Sequence, residues 1–227
     1  MAFRFLLLTL PLASGTKVLC LHGGGSSADA FRAQMKDVMA DTPGNEYVFA
    51  NAAKGNWFED PPDGKGTPTQ DPDWDKASIE LINRIVTDEG PFDIVLGFSQ
   101  GSAFIPAYLS IHPRAFQKAA LLSGYLPSTH QGVLQRIRAA APFTIPALVY
   151  YGKADLRISN DMTREQARLF KNVELVSDEG THKVPSKNAP GYKKLIYFLK
   201  EEDGAILIWP WILAALLLGV LVLLVYL

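Results

Sequence analysis

The chain has 227 residues, 48% hydrophobic and 20% charged, with 22 Lys+Arg against 23 Asp+Glu and a formal net charge of −1. That balance excludes a disordered chain and a polytopic membrane protein, and without a basic block or stripe no nucleic-acid partner is expected. The single cysteine, Cys20, excludes an intrachain disulfide and a thiolate metal cluster.

The hydrophobic residues are unevenly spread. Met1–Gly15 holds 10 among 15 and Ile206–Leu227 holds 20 among 22, which leaves roughly 42% for the 190 residues between them. That is an ordinary value for one globular domain. Three segments are expected: a leader at 1–15, a domain at 16–205 and an anchor at 206–227.

In chain order, the leader reads as a signal peptide. Arg4 is its n-region, Phe5 to Leu12 its apolar stretch and Ala13-Ser14-Gly15 its small-residue cleavage site. An edge strand or an uncleaved leader is the alternative. Residues 17–21 form a short apolar run that stops at His22-Gly23-Gly24-Gly25, which predicts a buried strand entering a tight loop. Cys20 lies in that run as a small core residue. Ser26 or Ser27 is placed to cap a helix whose apolar face is Phe31, Met35, Val38 and Met39.

A strand is predicted at 47–50. Residues 51–76 follow as a long irregular segment rich in Pro, Gly and Asp, and its Trp57, Phe58 and Trp74 suggest an ordered flap that walls a substrate pocket. A helix at 77–88, a strand at 94–98 and a helix from Gln100 to about Ser110 come next. Strands at 119–122 and 147–151 flank a short helix near 133–139, with the segment around 126–141 also near the pocket. The domain ends as helix 162–170, strand 173–176 and helix 192–200. Near-continuous apolar strands alternating with helices predict an α/β fold whose mostly parallel sheet is covered on both faces.

The last 22 residues carry no charge and would span about 33 Å as a helix, enough for a bilayer core. Trp209, Trp211 and Tyr226 stand near its ends and Pro210 in its first turn. A transmembrane helix is the expectation, so the membrane is expected as a partner through this segment. The domain would then be lumenal or extracellular if the leader is a signal peptide, and cytosolic otherwise. A glycolipid anchor signal fits less well, because Asp203-Gly204-Ala205 runs into the apolar stretch with no polar spacer.

Chemistry gathers in the middle. Gly97-Phe98-Ser99-Gln100-Gly101 is a G-x-S-x-G segment between a strand and a helix. The sharp turn needs small residues on either side of the serine, and the helix start favours developing negative charge at it. Ser99 is therefore the candidate nucleophile, and it needs a base. Of the four histidines, His22 shapes the glycine loop, His112 ends a helix before Pro113 and His130 sits in a polar turn. His182 follows the last strand and precedes the last helix, where the base of an α/β hydrolase stands.

Asp155 follows the strand at 147–151 and completes the chain order Ser99, Asp155, His182, which is that of α/β hydrolases. Asp178 is a competitor for the acid and Asp161 a weaker one, better suited to cap a helix. Backbone N–H groups of Gly24 and Gln100 are the expected oxyanion donors. The Gly23-Gly24-Gly25 loop lacks the Lys-Ser/Thr of a phosphate-binding loop.

The blocks Leu19-Cys20-Leu21-His22-Gly23-Gly24-Gly25, Gly90-Pro91-Phe92-Asp93, Gly97 to Gly101, Ser123-Gly124-Tyr125 and Gly180-Thr181-His182-Lys183-Val184-Pro185 resemble the eukaryotic family of serine hydrolases, the FSH-type α/β hydrolases. The resemblance covers about residues 17–199. Family members are similar to carboxylesterases and include thioesterase-like enzymes acting on polyketide acyl chains. It implies Ser99, Asp155 and His182 as a triad by position. Many members have a second glycine where this chain has Thr181.

The expected activity is hydrolysis of carboxylic esters or thioesters of small to medium acyl groups, with no metal or cofactor. The alternatives are a lipase-like enzyme acting at a membrane and a non-hydrolytic receptor on the same fold. Acyl length and oligomeric state are not legible in the sequence.

Overall fold

The computed structural model describes residues 15–59 and 66–200. Six strands form one sheet: β1 Lys17–Leu21, β2 Glu46–Ala50, β3 Ile94–Phe98, β4 Lys118–Leu122, β5 Ala147–Gly152 and β6 Val173–Asp178. Their spatial order is β2-β1-β3-β4-β5-β6, and every pairing is parallel. The helices are α1 Ala28–Gln34, α2 Lys36–Asp41, α3 Lys76–Glu89, α4 Gln100–Leu109, α5 Gln131–Ala140, α6 Asn160–Ala167 and α7 Pro190–Lys200.

The pleat explains the layers, because successive side chains leave a strand on opposite faces. Leu19, Val95, Leu121 and Val149 point to one face and pack with Ile82 of α3, Phe104 of α4 and Ile137 of α5. Val18, Leu96, Ala120 and Leu148 point to the other, against Phe31 of α1, Val38 of α2 and Leu195 of α7. Both faces are covered, so the inner strands β3 and β4 are buried at every position. The edge strands β2 and β6 are only partly buried and carry Glu46 and Glu174, paired with Lys17 at 2.8 Å and Lys194 at 2.6 Å. Charge on an edge discourages pairing with another chain.

Helix α4 is apolar on nearly all sides and is buried from Gly101 to Leu109, as a helix without a polar face must be. The single helix expected around Phe31 and Met35 is two helices, because Met35 leaves helical geometry at φ −85° and ψ 1° and joins α1 to α2. A periodic apolar stripe reports which face is buried and does not report a bend in the axis.

Chain order reverses between β1 and β3, since the chain goes from β1 out to the edge at β2 and returns to the other side. Crevices outside the carboxyl ends of strands form at such a reversal. The loop His22-Gly23-Gly24-Gly25 and Ser99 both lie there.

The transmembrane part of the expected fold is corrected. No helix among the described residues is long and apolar enough to cross a membrane. The longest, α3, has 14 residues and spans roughly 21 Å, short of the roughly 30 Å of a hydrocarbon core. Residues 206–227, on which the spanning helix was expected, and residues 1–14 of the leader lie outside the described residues. The described residues form a parallel α/β domain with no spanning helix among them. The membrane-anchored location that rested on that helix is withdrawn with it.

Candidate active site

Ser99 is the residue between β3 and α4, at φ 54° and ψ −117°. Positive φ is costly for a residue with a Cβ and persists only where its surroundings enforce it. Here they do. A Cβ on Gly97 would lie 2.6 Å from the carbonyl carbon of Gly101, and one on Gly101 would lie 2.3 Å from the carbonyl oxygen of Leu21. The backbone N–H of Ser99 donates to Leu122 at 2.8 Å, and its carbonyl accepts from Ala103 at 3.0 Å. The turn is thus clamped to β4 on one side and built into α4 on the other, with the end of β1 against it.

His182 Nε2 lies 3.0 Å from Ser99 Oγ, and His182 Nδ1 lies 2.6 Å from Asp155 Oδ2. An ionised carboxylate only accepts, so Nδ1 carries the proton and Nε2 presents its lone pair to the serine hydroxyl. The Phe98 ring packs on the imidazole with centroids 4.9 Å apart. Asp155 is buried. Burial works against its charge, but hydrogen bonds from the Ile158 N–H at 3.0 Å, the His182 ring and the Arg157 N–H at 2.8 Å outweigh it, and the carboxyl is held below the usual carboxylate range.

Asp155 and His182 come from the loops after β5 and β6, which are stitched together. Lys153 N–H donates to Asp178 at 2.7 Å and Ala154 N–H to Gly180 at 2.9 Å. Asp178 is turned inward. It accepts from the Tyr150 hydroxyl and the Gly180 N–H, each at 2.8 Å, and from the Gly191 N–H at 3.1 Å. Asp161 is exposed in the first turn of α6, whose cap is Ser159, accepting from the Met162 N–H.

The other histidines are held elsewhere. His22 is fully buried; its Nε2 accepts from the Ala52 N–H at 3.1 Å, so its Nδ1 donates to Gly23 at 2.7 Å. Burial pushes its pKa below the ordinary value. His130 precedes α5 and hydrogen-bonds the Glu59 carbonyl through Nε2 at 2.9 Å, and His112 packs at a tilt against Tyr108 with centroids 4.8 Å apart.

Gln100 opens α4, so its N–H has no intrahelical acceptor. A Cβ on Gly24 would come 3.1 Å from the Gln100 side chain, which puts the two residues side by side. Within the glycine loop Gly25 N–H donates to Gly55 and Asn56, and Ser26 N–H donates to Gly23.

Ser99 and His182 open into a cleft of about 890 Å³ whose lining includes Gly24, Phe98, Leu156, Arg157 and Lys183. Trp57, Phe58 and Trp74 are not among its lining residues. Trp57 and Phe58 are buried core side chains packed on Phe104, with centroids 5.3 and 5.9 Å away. Trp74 faces a separate cavity of about 200 Å³ with Phe58. Residues 51–57 reach the site by another route: the Trp57 indole N–H donates to the His22 carbonyl at 2.7 Å, and the Trp57 backbone N–H donates to Gln100 Oε1 at 2.9 Å. The segment buttresses the loop and the helix start from behind.

Sequence reasoning missed a buried polar network under Ser99. Gln166 of α6 donates to the Ser102 carbonyl at 2.9 Å and accepts from the Ser102 hydroxyl at 3.2 Å, while the Thr163 hydroxyl donates to Gly124 at 2.8 Å. The spacing of Thr163, Gln166 and Ala167 places them on one helix face, which was the signal available. No group of three or more His, Cys, Asp or Glu able to hold a metal ion occurs among the described residues.

A family model described as serine hydrolase (FSH1) matches residues 36–190. The esterase GA18864 of Drosophila pseudoobscura pseudoobscura is 30% identical over 202 residues, covering 78% of this chain and 68% of that protein. Among solved structures, Arabidopsis thaliana SOBER1 matches with a TM-score of 0.61 at 18% identity, over 82% of this chain and 97% of that one. Zea mays acyl-protein thioesterase 2 matches with a TM-score of 0.60 at 18% identity, over 82% and 92%. At such identity the structural likenesses establish the fold alone.

Proposed function

The chain belongs to the serine hydrolase (FSH1) family and is a hydrolase of the ester-cleaving class; from that premise we propose that it cleaves carboxylic esters or thioesters of small to medium acyl groups through an acyl-enzyme on Ser99. The observation that carries this reading is the continuous hydrogen-bonded line from Ser99 Oγ through His182 to Asp155, at 3.0 and 2.6 Å.

Ser99 Oγ attacks the substrate carbonyl carbon while His182 Nε2 takes its proton. The negative oxygen of the tetrahedral intermediate rests on the N–H groups of Gly24 and Gln100. Donors of this kind are worth roughly 10²–10³ in rate each. Asp155 keeps the proton on Nδ1 and stabilises the imidazolium. His182 then gives its proton to the leaving alcohol or thiol, and the acyl group stays on Ser99. A water molecule, deprotonated by Nε2, attacks the acyl-enzyme and releases the acid with Ser99 restored. The strained turn at Ser99 favours this chemistry because it holds Oγ clear of the strand, in reach of the base.

A fluorophosphonate probe tests the reading directly. It should label the folded wild-type chain at Ser99 and leave Ser99→Ala unlabelled. In parallel, kcat on p-nitrophenyl esters and acyl thioesters should fall by roughly 10⁶ in that variant. A folded wild-type protein that resists the probe, or Ser99→Ala with undiminished turnover, overturns it.

A further inference from the structure

The cleft in front of Ser99 has a charge pattern that ester hydrolysis does not use. Among the described residues its Lys and Arg lining residues are Arg157 and Lys183, and no carboxylate lines it. The two cations stand on the loops that bear Asp155 and His182. Their backbones are anchored there, since the Arg157 N–H donates to Asp155 Oδ1 at 2.8 Å and the Lys183 N–H to the Thr181 carbonyl at 2.8 Å.

Among the described residues, the acids on and beside these two loops are engaged. Asp155 holds His182, Asp178 is bonded to Tyr150 and to two backbone N–H groups, and Glu179 pairs with Lys153 at 2.6 Å. Among the described residues neither Arg157 nor Lys183 forms an ion pair. Two uncompensated cations on the wall of one concave surface focus positive potential into it. Leu156 lines the same cleft and is 98% exposed, an apolar side chain left uncovered by the other described residues.

From this arrangement, and resting on the hydrolytic reading above, we infer that the substrate carries an anionic group, a carboxylate or phosphate, which Arg157 and Lys183 hold while the scissile carbonyl lies at Ser99. Arg157 offers the planar fork that binds such groups through two parallel N–H bonds, and Lys183 adds a point charge. Leu156 covers the apolar stem between anion and carbonyl. The pair sets specificity; neither residue takes part in proton transfer.

The test compares anionic substrates with neutral ones of the same shape in two arms. With the anion on the acyl side, p-nitrophenyl hydrogen glutarate is set against its methyl ester. With the anion on the leaving group, the butyrate ester of meta-carboxyphenol is set against that of its methyl ester. At low salt kcat/KM should favour the anionic member by roughly tenfold or more in one arm, which also identifies the side that carries the charge. The preference should shrink as ionic strength rises from roughly 0.02 to 0.5 M.

It should collapse toward one in the Arg157→Gln/Lys183→Gln double variant and persist in Lys171→Gln, which removes one positive charge at the opposite end of the sheet. If the double variant does not fold, Lys183→Glu alone should turn the ratio in favour of the neutral ester. A wild-type ratio near one in both arms, or a preference that survives removal of both cations, overturns the inference. In that event Ser99 labelling and turnover of the neutral esters leave the hydrolytic reading standing, whereas an unlabelled Ser99 removes both.

Discussion

Asp155 illustrates how a single residue is chosen by its surroundings. Asp155 and Asp178 are both buried at the ends of neighbouring strands. Asp155 offers one carboxylate oxygen to His182 and the other to two backbone N–H groups, while Asp178 spends its oxygens on Tyr150, Gly180 and Gly191. Sequence order made Asp155 the better candidate but left both open, because hydrogen-bond direction is not a property of chain position. Replacing Asp155 by Asn should lower kcat by roughly 10⁴ with little change in KM, since the neutral amide no longer fixes the imidazole tautomer. The same variant has a stability signature. A carboxyl whose pKa is depressed by folding contributes stability above its unfolded value of about 3.9 and loses it as pH falls through the lower folded value. Urea titrations from pH 6 down to roughly pH 3 should therefore show a shallower acid loss in Asp155→Asn than in the wild type; identical slopes would contradict the assignment.

At the scale of elements, the strand-turn-helix around Ser99 was the most legible part of the chain. Its strand is all apolar, its helix has no polar face, and two glycines bracket the serine at a spacing that only a close backbone approach requires. The structure supplies the approach: Gly101 touches the end of β1, so α4 is seated against a different strand from the one that feeds it. Gly101→Ala would drive a Cβ into the carbonyls of Leu21 and His22, both backbone atoms that cannot turn aside. The variant should lose roughly 3 kcal/mol or more of stability in chemical denaturation, well above the typical single substitution. A neutral effect would mean that the turn is more compliant than its geometry indicates. Residues 51–76 were the least legible segment. Their aromatics suggested a pocket wall, yet Trp57 and Phe58 pack into the core, because a large apolar ring gains as much from burial in a core as from lining a cleft and composition does not separate the two.

For the molecule as a whole, the arrangement of layers decides what is reachable. Cys20 lies on β1 inside the layer covered by α1 and α7, fully buried, and burial pushes its thiol well above the ordinary range. Native protein at pH 8 should therefore resist iodoacetamide, with alkylation appearing only as urea unfolds the chain; prompt labelling under native conditions would contradict the packing described here. The reversal of strand order between β1 and β3 likewise decides where chemistry is possible, since it opens a crevice at the carboxyl end of the sheet into which the loops after β1, β3, β5 and β6 converge. The sequence by itself determined the α/β class, the strands and the residue types able to do nucleophilic chemistry, because periodicity, turn glycines and local spacing are short-range properties of a chain. Only the tertiary structure decided that residues 83 positions apart, Ser99 and His182, meet at 3.0 Å. It alone decided which aspartate faces the imidazole, that Trp57 supports the site from behind, and that Arg157 and Lys183 line one cleft. Those facts depend on which loops the sheet order brings together, and sheet order is a product of packing between elements distant in the chain.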